Sequence, residues 1–129
     1  MLMRALMGSI ALAVVTTSAG AQLSLHWQFC TGNAGIDWDT QIKSCTTLIE
    51  SGTELKENEA IAFYNRALAY ENKEKYDLAI ADLTEAIRLN PNDADFFLNR
   101  GIDKQRIGDQ AGADADIAEA KRLNPNFGK

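Results

Sequence analysis

The segment EAIRLNPN at residues 85–92 returns as EAKRLNPN at residues 119–126, identical but for one residue and displaced by 34 positions. The register carries outward without a gap, laying AIAFYNRALAYENKEKYDLAIADLTEAIRLNPND (60–93) over ADFFLNRGIDKQRIGDQAGADADIAEAKRLNPNF (94–127). Shared columns include Phe63/Phe97, Asn65/Asn99, Arg66/Arg100, Ala79/Ala113, Asp82/Asp116, Ala86/Ala120 and Pro91/Pro125. A fixed period of about 20–50 residues marks an array whose units cannot bury their apolar faces alone and so stack on one another. Every unit must then leave its neighbour at the same angle, which is why the corner is spelled twice.

Within the first block, Ile61, Tyr64 and Leu68 recur at helical spacing, as do Ala79, Ile80, Leu83, Ala86 and Ile87, with a polar Asn-Lys-Glu-Lys stretch between. Each block is therefore a pair of helices, and the short connection makes them antiparallel. Small residues fall where the two helices approach: Ala67 or Gly101 on the first, Ala79 and Ala86 or Ala113 and Ala120 on the second. Pro91 and Pro125 disfavour helical geometry at Asn90 and Asn124, ending the second helix, and Asn92 or Asp93 offers a side-chain oxygen to cap the next. Upstream, WDTQIKSCTTLIESG (38–52) lies over YDLAIADLTEAIRLN (76–90) and reads as the second helix of a degenerate first unit. Its first helix is expected within residues 23–29, because CTGNAG (30–35) is too rich in turn formers for regular helix. Residues 51–58 add four positions relative to the later blocks.

These columns resemble the tetratricopeptide repeat. Its pattern has an early aromatic (Phe63, Phe97), a small residue four later (Ala67, Gly101), then a tyrosine (Tyr70, with Lys104 in the second block). An alanine in the second helix (Ala79, Ala113) and a closing proline (Pro91, Pro125) complete it. The resemblance covers residues 60–127. It implies an all-α, right-handed stack of about three helix pairs: a degenerate unit at 22–59 and repeats at 60–93 and 94–127. It also implies a non-catalytic module whose first helices line a concave groove for a peptide or helix of a partner protein. The groove positions are Ile61, Tyr64, Asn65, Leu68, Glu71 and Asn72, then Asp95, Leu98, Asn99, Ile102, Gln105 and Arg106. Tyr64, Leu68, Leu98 and Ile102 would form an apolar strip, with the amides of Asn65 and Asn99 available to a ligand's backbone. Cover of that strip by residues 23–27 or by a second copy of the chain is the alternative. The basic clamp by which some members grip a terminal carboxylate is not spelled, since Asp95 stands where a cation is wanted. Lys104, Asp114 and Lys121 replace the apolar Tyr70, Ile80 and Ile87, as suits a solvated capping face.

The first 21 residues carry one charge, Arg4, an apolar run from Leu6 to Val15 and a small-residue close at Ala19-Gly20-Ala21, the plan of a signal peptide cleaved near Ala21. The run is short of the roughly 20 residues of a membrane span. The resemblance is thus to small exported members of the family from bacterial periplasms, where a cysteine pair often opens the chain. Without Arg4 the formal charge moves from −5 to −6, a poor match to nucleic acid. In an oxidising compartment Cys30 and Cys45, the only two cysteines, read first as a disulfide. A redox-active pair, or a zinc site adding His26, is the competing reading, though no fourth ligand is evident. The acids of GADADIAE (112–119) lack calcium-loop spacing. No nucleophile-and-base constellation surrounds the single histidine, so neither catalysis nor a cofactor is expected. The recurring Arg66/Arg100 and Asp82/Asp116 read as contacts between helices, their pairing open.

Overall fold

The computed structural model describes residues 18–33 and 35–129, and among them the regular secondary structure is all α-helix. Six helices follow in order: α1 (Ala19–Cys30), α2 (Trp38–Ser51), α3 (Lys56–Asn72), α4 (Tyr76–Leu89), α5 (Ala94–Arg106) and α6 (Gln110–Leu123). Sequential helices pack as the pairs α1/α2, α3/α4 and α5/α6, and α3 and α5 dock against the second helix of the preceding pair. Most of the signal-peptide expectation falls outside the described residues. What is described of it opens α1, where the Ser18 side chain accepts a hydrogen bond from the Ala21 amide. None of the described helices is long and apolar enough to cross a membrane.

The corners show why Asn precedes Pro. Asn90 and Asn124 are extended, at φ −138° and −133°, as a following proline requires. Each Asn side chain then accepts from the amide two residues on, Asn90 from Asn92 at 3.3 Å and Asn124 from Asn126 at 3.1 Å, closing an Asx-turn. The cap of α5 is Asp93, accepting from the Asp95 amide. The four added residues upstream do not lengthen a loop. They extend α3 to 17 residues against 13 in α5, one extra turn at its start.

Ala60, Ala67, Ala79, Leu83, Ala86 and Phe96 form one buried cluster, and Cys30, Cys45, Leu48 and Ala62 another. The approach of α5 to α6 is close at Gly101, where an added Cβ would sit 3.0 Å from Cγ1 of Ile117 and 3.2 Å from the Ala113 carbonyl oxygen. The recurring ions settle into one arrangement used twice. Arg66 donates two hydrogen bonds to the Asp82 carboxylate, both 2.7 Å, and a third to the Thr46 hydroxyl. Arg100 does the same to Asp116 and Thr84. Each guanidinium also lies over the aromatic ring three residues before it, Phe63 or Phe97. Arg and Asp of one unit thus pair with each other, while the threonine ties them to the unit before.

Lys104 departs from the solvated cap expected of it. Its side chain is only 20% exposed and its Nζ lies 2.8 Å from Asp116, giving that carboxylate a second cation. The long methylene stem covers the place of Tyr70 while the ammonium reaches the buried acid. Asp114 and Lys121 are exposed.

Candidate functional site

The groove positions lie on α3 and α5, neighbouring helices from successive pairs. Their first meeting point is Tyr64, whose ring stacks on buried Phe96 at 5.1 Å and whose hydroxyl accepts from Asn99 Nδ2 at 3.3 Å. Asn99 Nδ2 also donates to the Asp95 carbonyl, so both of its amide hydrogens are engaged and its Oδ1 is what remains for a ligand. Asn65 differs. Its backbone carbonyl is taken by Gln41 Nε2, while its side-chain amide has no partner among the described residues. Ile61 and Ile102 are the outward apolar groups, 44% and 39% exposed, and Leu68 and Leu98 are half-buried beside them.

Residues 23–27, the segment considered as a cover for this strip, place Leu23 and Trp27 against the Cys30–Cys45–Leu48–Ala62 cluster. Trp27 Nε1 also donates to Glu54, so Leu23 and Trp27 are engaged away from the strip, while Leu25 is 48% exposed. Cys30 closes α1, Cys45 sits mid-α2, and the structure joins their sulfurs with both residues fully buried.

At the turn end of the groove the chain assembles a feature that the repeat register does not announce. Asn72, Ile102 and Arg106 come together with Glu71, Asp103 and Tyr76 around a hollow of about 200 Å³. Asp103 is 1% exposed, on a column occupied in the preceding repeat by buried Ala69. Neither its Oδ2 nor Glu71 Oε1, both shut from solvent, has a protein donor. Burial raises the Asp103 carboxyl to about 8, the Glu71 charge adding to the rise and Arg106 working against it. Burial also raises Glu71. Two such carboxyls side by side hold one proton between them at neutral pH. The negative field extends along the groove. The Tyr64 hydroxyl is raised by burial and then by the charges of Asp95, Glu71 and Asp93. A signal for Asp103 did exist in the sequence: an acid in the column of a buried alanine. It is silent about the partner, because Glu71 lies on the other repeat.

Two further hollows lie elsewhere, sharing only Asp95 with the groove positions. One, about 470 Å³, sits between the two Asn-Pro corners and includes Asn90, Asp95 and Asn124. The other, about 340 Å³, is lined by residues 74–78 and Ile107.

Residues 60–93 match the tetratricopeptide repeat family. No curated protein matches the chain. Among solved structures, one described as a crystal structure of MamA protein superposes with a TM-score of 0.73 at 16% identity, over 84% of this chain and 57% of that one. A second MamA structure, described as MSR-1 C2, gives 0.62 at 15% identity, over 82% and 55%. The second tetratricopeptide repeat domain of Spaghetti (RPAP3), bound to the HSP90 peptide SRMEEVD, gives 0.70 at 26% identity, over 81% of this chain and 88% of that one. The chain spans just over half the length of the MamA chains it matches. Residues 60–93 are a tetratricopeptide repeat, set among the described residues within a stack of three helix pairs.

Proposed function

We propose that the chain is a non-catalytic interaction module of the bacterial periplasm, exported by cleavage near Ala21, which holds a peptide or helix of a partner protein along α3 and α5. The observation that carries this is the strip itself. Ile61 and Ile102 are presented to solvent on the two helices, with the uncommitted amide of Asn65 and the free acceptor of Asn99 beside them. Apolar side chains flanked by open backbone-pairing groups suit an extended peptide, whose donors and acceptors need partners when covered. That the RPAP3 domain holds a peptide supports the same use of the fold here. The peptide's chemistry should differ, because SRMEEVD is acidic while the groove of this chain bears Asp95, Glu71 and Asp103.

The disulfide fits a structural part in this reading. Both cysteines are inaccessible to a thiol in the folded chain, which disfavours the redox alternative. The test is a crosslinking capture from periplasmic extract, run beside the variant Ile61→Ser/Asn65→Ala/Ile102→Ser, whose three side chains are not fully buried. A protein captured by the native chain and lost with the variant supports the groove. An identical captured set for both sinks it. Mass spectrometry of the exported chain tests the address, with a mature start at Gln22 as the expected result.

A further inference from the structure

We infer that the paired carboxyls of Glu71 and Asp103 are a receptor for the ammonium group of a lysine side chain on the partner peptide, an assignment that rests on the groove reading above. Asp103 is almost fully buried and lines the hollow beside Glu71, and its Oδ2 and Glu71 Oε1, both just beneath the hollow's surface, have no donor apart from the proton the two carboxyls share. Such oxygens call for a donor between the two side chains, and a cation with several N–H groups serves both at once. Asn72 contributes a third acceptor. Its Nδ2 is anchored by a hydrogen bond to the Leu68 carbonyl at 2.8 Å, and its Oδ1 accepts no hydrogen bond from the protein. Three acceptors from three side chains match a compact ammonium with three donors; a planar guanidinium prefers two oxygens of one carboxylate. Ile102 and the Tyr76 ring at the rim suit the methylene stem.

Charge complementarity points the same way. Around Asp103 the titratable groups are Glu71 from α3, Tyr76 from α4 and Arg106 from its own helix, so the one cation facing the pair is exposed Arg106. The other cation nearby, Lys104, is committed to Asp116 on the opposite side. An arriving ammonium would displace the proton shared by the pair, which couples binding to pH. Lysine stays charged throughout, with an ordinary value of about 10.4. Affinity should therefore rise with pH up to about 8, where Asp103 ceases to hold its proton.

The probe is an array of acetylated, amidated peptides in which each position in turn is lysine, norleucine or glutamate, bound by the full chain and by its Glu71→Gln/Asp103→Asn variant. The native chain should prefer lysine over norleucine at one position by roughly 10- to 100-fold, the range for hydrogen bonds to a charged group. The variant should lose that preference, binding the lysine and norleucine peptides alike. In solution the lysine peptide should gain about tenfold in affinity from pH 6 to pH 7 on the native chain, and nothing on the variant. Peptide binding without a lysine preference, or a preference the variant keeps, overturns this inference and leaves the groove standing. Absence of any bound peptide overturns both. A dimer seen by sedimentation that excludes the peptide makes a second copy of the chain the occupant and also overturns it.

Discussion

Alanine at Arg66 and alanine at Arg100 delete the same side chain from the same repeat column, yet the fold should feel them differently. Arg66 is the one cation on Asp82, whose side chain is 8% exposed. Arg66→Ala leaves that carboxylate buried and unpaired, a loss of about 3–5 kcal/mol. Asp116 is as deeply placed, at 7%, but keeps Lys104 at 2.8 Å when Arg100 is gone. Burial opposes ionisation of Asp116, yet the hydrogen bonds from Arg100 and Lys104 outweigh it and hold the carboxyl below its ordinary value. With one cation left, Arg100→Ala should cost about 1.5–3 kcal/mol, the worth of the lost charged hydrogen bonds. The threonine bond and the aromatic contact are lost from both columns, the bond to Thr46 being shorter and less exposed than that to Thr84, so they offset most of each other in the comparison. Arg100→Ala/Lys104→Ala removes the remaining cation and should return the cost to about 3–5 kcal/mol. Urea unfolding at pH 7 followed by helical circular dichroism reads all three, provided the slopes stay equal. The increment on adding Lys104→Ala is the deciding number, because a looser terminal unit shifts both Arg100 variants together. An increment below about 0.5 kcal/mol, or equal losses at Arg66 and Arg100, refutes the account of Lys104 as a second cation.

The Glu71–Asp103 pair sets a slope on stability with pH. Both carboxyls are raised in the fold, so the folded chain holds more protons than the unfolded one between about pH 4 and pH 8, and stability should fall as pH rises through that window. Thermal melts of Asp103→Ala, the residue that Ala69 supplies in the preceding repeat, should flatten that slope and leave the variant the more stable at pH 8. Replacing both cysteines by alanine opens a loop of separation 15 and should cost on the order of 3 kcal/mol, seen as a Tm lower by roughly 10 °C or more. Glu74, at φ 57°, holds the turn conformation that Gly108 supplies in the next repeat at φ 87°. Glu74→Gly should therefore be neutral or stabilising by up to about 1 kcal/mol, and Gly108→Ala destabilising by about 1–2 kcal/mol, in the same urea titration.

What the sequence made legible is what it says twice. Helix pairs, Asn-Pro corners and the small residues at the crossings could be read from columns, because identical packing demands recur at identical offsets. The Arg–Asp partnership could be seen to recur but not resolved, since a column alignment does not distinguish pairing within a unit from pairing across the junction. Features carried by one unit alone were harder. The four added positions had no counterpart in the later blocks to read from, and they form a helical turn in which Glu57 and Glu59 suit the helix start. Lys104 looked like a surface residue because its column mate is apolar; only the structure shows its stem lying in that apolar place with the charge folded back to Asp116.

Asp103 and Lys104 are adjacent departures from the repeat, and the contrast between them bears on function. Each puts an ionisable group where the preceding unit has Ala69 or Tyr70. Lys104 finds a full partner within its own helix pair, and so reads as structure. Asp103 finds only another acid, and the chain bears the cost of burying two carboxyls that share a single proton. A terminal unit could have kept alanine there, since nothing in the packing of α5 requires a charge. Violations of local consistency that the fold does not compensate tend to sit at functional sites. In the proposed groove this favours a working end at Glu71, Asn72 and Asp103, near the turns that follow α3 and α5, over Tyr64 and Asn99, which already share a hydrogen bond.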